Sequence, residues 1–308
     1  MIQKPIADLL DAMGAQALPC IHNEPLNRHT TFRIGGPAAV FCKPRTLLEL
    51  TSMLELCHQS GVRTYLLGNG SNTLFADEGF DGAVISLMDL KTNATAVLQP
   101  DGSTRLTAGA GTLLVTVCNK ALELDLTGLE FAFGIPGTVG GAVYMNAGAY
   151  GGEMKDVLYR VTFLDENLKL QTLPAKELNL GYRTSIFEEK PWCIVEAEFV
   201  LQPGVHEDIN AKMQDFMSRR REKQPLDMPS AGSTFKRPAG CFAGQLIEQC
   251  GLRGFSVGGA AVSQKHCGFV VNTGGATCAD VVELTDKIRE IVQEKTGHVL
   301  EREIRVVR

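Results

Sequence analysis

The sequence predicts an α+β protein of about two domains. Its 308 residues exceed the usual ~150 of one domain. A strand–helix–strand pattern near the start is followed by helices spaced among short strands. Hydrophobic residues at 44% against 21% charged residues give the balance of a folded globular chain.

The elements follow in order. Residues 38–42 read as a short buried strand. Pro44 then opens a helical stretch with apolar Leu47, Leu50, Leu54 and Cys57, ended by Gly61. Residues 63–67 are the next strand and run straight into Gly68-Asn69-Gly70-Ser71-Asn72. Residues 82–87 form another strand. Leu114, Val117, Cys118, Ala121 and Leu122 mark a helix, and strands lie near 157–164 and 192–201. Gln202-Pro203-Gly204 is a boundary. A helix over 206–223 carries Ile209, Met213, Phe216 and Met217 on one stripe and stops at Pro225. A loop rich in Pro, Gly and Ser reaches Gly244, and a short helix ends at Gly251. Residues 268–272 are a buried strand. Val281, Val282, Thr285, Ile288, Ile291 and Val292 define a last helix, closed by Gly297. The chain ends in a strand over 298–307, with no internal repeat.

Composition removes several classes of function. With 30 Lys+Arg against 35 Asp+Glu, the net charge is -5, unsuited to general nucleic-acid binding. No apolar run approaches the ~18–20 residues of a membrane span. The first residues, Met1 to Pro5, lack a charged n-region and a long apolar h-region, so a cytoplasmic protein is expected. Nine cysteines, at 20, 42, 57, 118, 193, 241, 250, 267 and 278, are odd in number and never in CxxC spacing. Free thiols are expected, with neither a disulfide framework nor a zinc site. The six histidines form no HxH or HExxH, so no metal is expected.

Glycine is the unusual residue: 32 in 308 is about 10%, against a typical ~7%. Gly68 to Asn72 follows a strand, as a phosphate-binding loop does. It lacks the Rossmann fingerprint because position 73 is Thr, and the chain has no Walker A pattern. Unobstructed backbone N–H groups with Ser and Asn donors suit a pyrophosphate, and they equally suit an ordinary turn. The segment 134–152 holds seven glycines, at 134, 137, 140, 141, 148, 151 and 152. It is bounded by apolar residues, so it is either a wall for a flat cofactor or a tightly packed turn. Tyr144, Asn146 and Tyr150 are polar handles beside it. Arg183 in Gly-Tyr-Arg-Thr-Ser and Ser233 in Ala-Gly-Ser-Thr-Phe-Lys stand out as isolated polar residues. Alternation along the last strand puts Val299, Glu301, Glu303, Arg305 and Val307 on one face. Leu300, Ile304 and Val306 take the other, interrupted by Arg302. The run Arg219-Arg220-Arg221-Glu222-Lys223 complements a helix C-terminal dipole or clamps a diphosphate.

These motifs together resemble the UDP-N-acetylenolpyruvoylglucosamine reductase family. The resemblance rests on residues 27–36, LGNGSN at 67–72, GLEFAFGIPGTVGGAVYMNAGAYGGE at 128–153, GYRTSIF at 181–187 and KQP at 223–225. It continues with AGSTFKRP at 231–238, GGAAVSQKHCGFVVN at 258–272 and EREIRVV at 301–307. It covers nearly the whole chain in order. It implies a two-lobed FAD-binding domain of the vanillyl-alcohol-oxidase type, lobes 1–88 and 89–203. A C-terminal α/β substrate domain over 204–298 and a terminal strand over 299–308 follow.

The implied cofactor is non-covalent FAD, held by Gly68, Asn69, Gly70, Ser71, Asn72, Ile135, Pro136, Gly137, Thr138, Gly141, Tyr144, Gly148 and Ala149. The implied reaction uses NADPH to reduce UDP-N-acetylglucosamine enolpyruvate to UDP-N-acetylmuramate for peptidoglycan. Ser233 is implied as proton donor, and Arg183 and Glu303 as the pair that polarises the substrate carboxylate. Glu303 is chosen over Glu301 because only Glu303-Ile304-Arg305 fits the family pattern. As a hydrogen-bond donor, Glu303 is expected to have a raised pKa. Tyr150, Lys223, Arg237 and Arg305 are implied substrate contacts. Too few residues separate Arg183 and Ser233 for the inserted tyrosine-bearing loop of longer members, so the chain resembles the shorter branch. A monomer without nucleic-acid or membrane partners is expected. The competing readings are an FAD-dependent oxidase or dehydrogenase of another substrate, or a non-catalytic flavin-binding module.

Overall fold

Lys4–Ala15 forms helix α1, which buries Ile6, Leu9 and Met13. These residues recur at helical spacing, yet this helix is not among the elements read from the sequence. The computed structural model describes residues 4–90 and 94–308. Residues 1–3, part of the stretch read for a leader, lie outside the described residues.

The strand–helix–strand unit forms as expected: strand Pro37–Cys42, helix α2 (Leu47–Gln59), strand Thr64–Leu67. Thr46 starts α2 by accepting a hydrogen bond from the Glu49 N–H at 3.1 Å, the usual role of an N-cap hydroxyl. Thr64–Leu67 pairs in parallel with Phe80–Ser86, Leu67 opposite Ser86. Gly68 therefore sits at the carboxyl end of a parallel strand, where open α/β sheets place their ligands.

By compactness the chain divides into two interleaved units. The first comprises residues 1–21, 40–69 and 82–220, the second residues 22–39, 70–81 and 221–308. The division expected from the sequence is consecutive instead, with steps after 88, 203 and 298.

In the first unit, Cys193–Pro203 is central to an antiparallel sheet. It pairs with Leu158–Leu164 on one side and Thr104–Gly109 on the other. Leu170–Pro174 and Thr95–Leu98 extend the two edges. Alternate residues Ala197, Phe199 and Leu201 are buried, as the period of a half-covered strand requires. Helix α3 (Leu114–Glu123) buries Leu114, Val117, Cys118 and Ala121, the stripe read from the sequence. Helix α4 (Val139–Tyr144) lies inside the glycine-dense segment. Helix α5 (His206–Lys223) has the expected bounds, but of its stripe only Ile209 and Met213 are buried.

The second unit has a three-stranded antiparallel sheet in the order Ser256–Val257, Ala260–Val262, Val270–Asn272. Helices α6 (Ala243–Gln249) and α7 (Cys278–Thr296) share its core. That core gathers Phe32, Leu74, Phe235, Ile247, Val262, Val281, Leu284, Ile288, Leu300 and Ile304. A capping box of Thr277 and Asp280 starts α7, and Gly297 at φ +74° ends it.

The terminal strand is shorter than expected. Only Arg305–Val307 is strand, paired in parallel with Thr73–Phe75. A bend at Ile304 interrupts the alternation, so Val307 is buried while Glu303 and Arg305 share no continuous face. Arg302, the residue that broke the apolar pattern, points to α7. It bonds the Thr285 hydroxyl at 2.7 Å and Asp286 at 2.6 Å. All nine cysteines are free. Among the described residues no helix is long and apolar enough to cross a membrane.

Candidate active site

Two glycine segments far apart in sequence meet in the first unit. A Cβ on Gly68 would lie 2.6 Å from the Thr138 hydroxyl, closer than atoms pack, so glycine is required there. Asn69 adds a hydrogen bond from its amide nitrogen to the Pro136 carbonyl at 2.7 Å. Thr138 is the N-cap of α4, and its hydroxyl accepts from the Gly141 N–H at 3.3 Å. Pro136 and Gly141 are exposed and Gly137 half-buried. The result is a surface of nearly bare backbone with strands and helix behind it.

The chain then turns back through the hairpin Gly148–Ala149 and Gly152–Glu153. Its central residues, Tyr150 (φ +53°) and Gly151 (φ +90°), both adopt the left-handed conformation, the requirement of a tight hairpin turn. Fully buried Asn146 ties this hairpin to the loop bearing Arg183. Its amide nitrogen donates to the Glu153 carboxylate at 2.7 Å and to the Gly181 carbonyl at 2.9 Å. Its side-chain oxygen accepts from the Lys155 N–H at 2.9 Å. Gly181 and Thr184 close a turn with mutual backbone hydrogen bonds. Arg183 in that turn is held at φ +58°, a conformation that costs a non-glycine residue about 1–2 kcal/mol. Strain of this kind collects at functional sites. The Arg183 guanidinium donates to the Gly148 carbonyl at 3.1 Å, at the end of the glycine segment.

The arginine run separates by environment. Arg219 is held by Asp215 at 2.8 Å. Arg220 is half-buried, with its stem against Gly134. Burial pushes its pKa down, partly offset by nearby Tyr150. Tyr150 stacks face to face on Phe216 of α5, with ring centroids 4.5 Å apart and planes at 5°. Arg220 and Phe216 were not among the expected site residues. The i, i+4 spacing from Phe216 was the signal that could have singled out Arg220.

In the second unit, Ser233 and Glu303 are brought together. The Glu303 N–H donates to the carbonyl of Thr234, the residue after Ser233, at 2.9 Å. Phe235 bridges Arg302, and Lys236 holds Glu301 at 2.5 Å. Thr234 is fixed by donating its N–H to Gly268 and accepting from the Val270 N–H, both at 2.9 Å. Ser233 itself is exposed, while Glu303 is half-buried. Asn72 reaches the same stretch: its amide nitrogen donates to the Glu303 carbonyl at 3.1 Å. Gly70, at φ +61°, packs on the His29 carbonyl, and Ser71 is half-buried.

The Arg305 N–H donates to the Asn72 carbonyl at 3.0 Å. The Arg237 guanidinium lies 4.4 Å over the Phe242 ring. Lys223 is exposed at the end of α5. A cleft of about 640 Å³ in this unit is lined by Arg221, Asp227, Ser263, Gln264, Lys265 and Thr273 among others. Lys265 at its wall was visible only as part of the motif over 258–272. Among the described residues no cluster of three or more His, Cys, Asp or Glu is placed to hold a metal.

Comparison with known proteins places the chain as a whole. Residues 224–307 match the C-terminal domain of UDP-N-acetylenolpyruvoylglucosamine reductase, and residues 37–173 match an FAD binding domain. The UDP-N-acetylenolpyruvoylglucosamine reductase of Caldanaerobacter subterraneus subsp. tengcongensis is 48% identical over 285 residues, 92% of each chain. That of Lachnoclostridium phytofermentans is 46% identical over 98% of this chain and 96% of its own. The crystal structure of the Thermus caldophilus reductase superposes with a TM-score of 0.78 at 34% identity, covering 94% of this chain and 99% of that one. The fold is thus that of the Thermus caldophilus reductase, an FAD-binding domain over residues 37–173 followed by the reductase C-terminal domain over residues 224–307.

Proposed function

The chain belongs to the UDP-N-acetylenolpyruvoylglucosamine reductase family, and on that premise we propose that it reduces UDP-N-acetylglucosamine enolpyruvate with NADPH through bound FAD. The observation that carries this reading is the backbone hydrogen bond that sets Glu303 beside exposed Ser233. A hydroxyl and a carboxyl carried on adjoining backbone segments are the two groups that protonation of a carbon next to a carboxylate needs.

The residues present fit a flavin. The close approach of Gly68 to Thr138, with the open backbone over Pro136, Gly137 and Gly141, leaves a side-chain-free surface. Asn69, Gly70, Ser71, Asn72, Ile135, Tyr144, Gly148 and Ala149 complete the expected lining. Bound there, FAD would supply the hydride-transfer chemistry that links NADPH to C3 of the enolpyruvyl group.

The chain's own residues do the rest. As the new C3–H bond forms, the π electrons of the double bond move to C2 and spread into the adjacent carboxylate. Arg183 stabilises that growing charge with a fixed, planar cation. Its strained backbone holds it in place before substrate arrives. Glu303, as the neutral acid, donates a hydrogen bond to the same carboxylate. Ser233 gives its proton to C2, completing the lactyl ether, and recovers one from solvent. Lys223, Arg237, Arg305, Tyr150 and Arg220 hold the anionic and sugar parts of the substrate.

In this reading the lobes 1–88 and 89–203 serve the flavin, 204–298 serves the sugar nucleotide, and the last strand brings Glu303. The enzyme works as a cytoplasmic monomer, and its product UDP-N-acetylmuramate feeds peptidoglycan synthesis and so cell shape, the cell cycle and division. Ser233→Ala tests the assignment. Flavin reduction by NADPH should stay at the wild-type rate while flavin reoxidation by the enolpyruvyl substrate falls by about 10²-fold or more. Equal loss in both halves would remove Ser233 as proton donor.

A further inference from the structure

We infer that Asn72 is a positioning residue for Glu303, tying the glycine loop to the acid beside Ser233. Two hydrogen bonds, one from each part of Asn72, fall on the terminal segment. The side-chain amide donates to the Glu303 carbonyl at 3.1 Å, and the main-chain carbonyl accepts from the Arg305 N–H at 3.0 Å. On the far side of the same residue, the Glu303 N–H donates to the Thr234 carbonyl at 2.9 Å. Both polar groups of the Glu303 backbone are therefore spent, one on the serine-bearing loop and one on Asn72.

This matters because regular pairing does not hold Glu303. The strand begins only at Arg305, and residue 304 lies in a bend. The single bridge of Phe235 with Arg302 and the Lys236–Glu301 pair secure the side before it. After it, the Asn72 amide holds the Glu303 carbonyl before the parallel pairing of Arg305 with Thr73 starts. An amide suits the task. A carboxylate of the same shape would turn an acceptor toward the carbonyl, and a shorter side chain would not reach it.

The inference rests on the reading of Glu303 given above, and its test separates the two. Asn72→Ala, Glu303→Gln and the double variant are compared as FAD-loaded enzymes in the two half-reactions. If Asn72 acts through Glu303, Asn72→Ala at saturating FAD, where its share in holding the flavin is compensated, loses far more in reoxidation than in NADPH-driven flavin reduction. It slows reoxidation by the enolpyruvyl substrate about 5- to 30-fold, the loss of one hydrogen bond in a half-buried site. The double variant is then no slower than Glu303→Gln alone.

Independent, multiplying losses would overturn the inference, as would reoxidation at the wild-type rate once FAD is saturating, which leaves Asn72 a flavin ligand alone. Should Asn72→Ala not fold, Asn72→Asp, equal in shape, is read on the same terms. A Glu303→Gln enzyme as fast as wild type would refute the reading of Glu303 and this inference with it.

Discussion

Gly141→Ala should loosen the flavin while firming the protein. Gly141 lies within α4 and is exposed. A Cβ there would meet only the Thr138 hydroxyl, at the ordinary contact distance of 3.5 Å. The fold therefore has room for the methyl group. Alanine is favoured over glycine inside a helix by up to about 1 kcal/mol. In a chain of this size that raises the apoprotein Tm by up to about 1.5 °C. A flavin lying on this bare face would meet the same methyl group as overpacking worth about 1–3 kcal/mol. That corresponds to a rise in FAD Kd of about 5- to 150-fold.

Apoprotein melts and titration with FAD read the two effects separately. Gly68→Ala is the contrast: its methyl group would press on the Thr138 hydroxyl at 2.6 Å, so stability and FAD affinity fall together. A Gly141→Ala protein that binds FAD like wild type, with the expected gain in Tm, would show that no flavin rests on this face.

Asn146→Ala removes the three hydrogen bonds of a fully buried amide, to the Glu153 carboxylate, the Gly181 carbonyl and the Lys155 N–H. Denaturant titration should give a loss of about 2–4 kcal/mol. Arg183→Gly should be more stable than Arg183→Ala by about 1 kcal/mol, because φ is +58°, although both lose the second half-reaction. A reversed order in thermal melts would contradict the strain. Asp280 has its carboxyl held below the ordinary range, chiefly by backbone N–H bonds from Thr277 and Gly259. A lowered folded-state pKa stabilises above the unfolded value near 4 and is lost as pH falls through it. Asp280→Asn should therefore flatten the acid limb of the stability curve below about pH 4 and leave neutral stability reduced. Burial raises the Cys57, Cys118 and Cys193 thiols to about 12. In the native protein they should resist a thiol reagent at neutral pH that labels half-buried Cys241.

Local patterns carried much of the fold. Helices α2, α3, α5 and α7 were legible because apolar stripes and boundary signals agree: Pro44 and Gly61 around α2, Pro225 after α5, Gly297 after α7. The terminal strand was overread because alternation from 299 to 307 looks continuous. Only the side chain of Arg302, paired with Asp286, shows that the segment follows α7 before bending at Ile304. Within the candidate site, the glycine segments were legible as bare backbone, but not their meeting: the contact of Gly68 with Thr138 joins positions 70 apart. Asn146 shows the same limit. Its three partners lie on the hairpin and on the Arg183 loop, so its buried role exists only in three dimensions. Arg220 was hidden among equal neighbours, since charge alone does not separate a guanidinium packed on Gly134 from one paired with Asp215.

The central claim is that this chain passes electrons from NADPH to an enolpyruvyl sugar nucleotide. The direct measurement is anaerobic: the purified flavoprotein is bleached with one equivalent of NADPH, then mixed with UDP-N-acetylglucosamine enolpyruvate. The account predicts rapid return of the oxidised flavin absorbance with one equivalent of UDP-N-acetylmuramate formed. A reduced flavin that ignores this substrate and reoxidises only on admission of oxygen would contradict it.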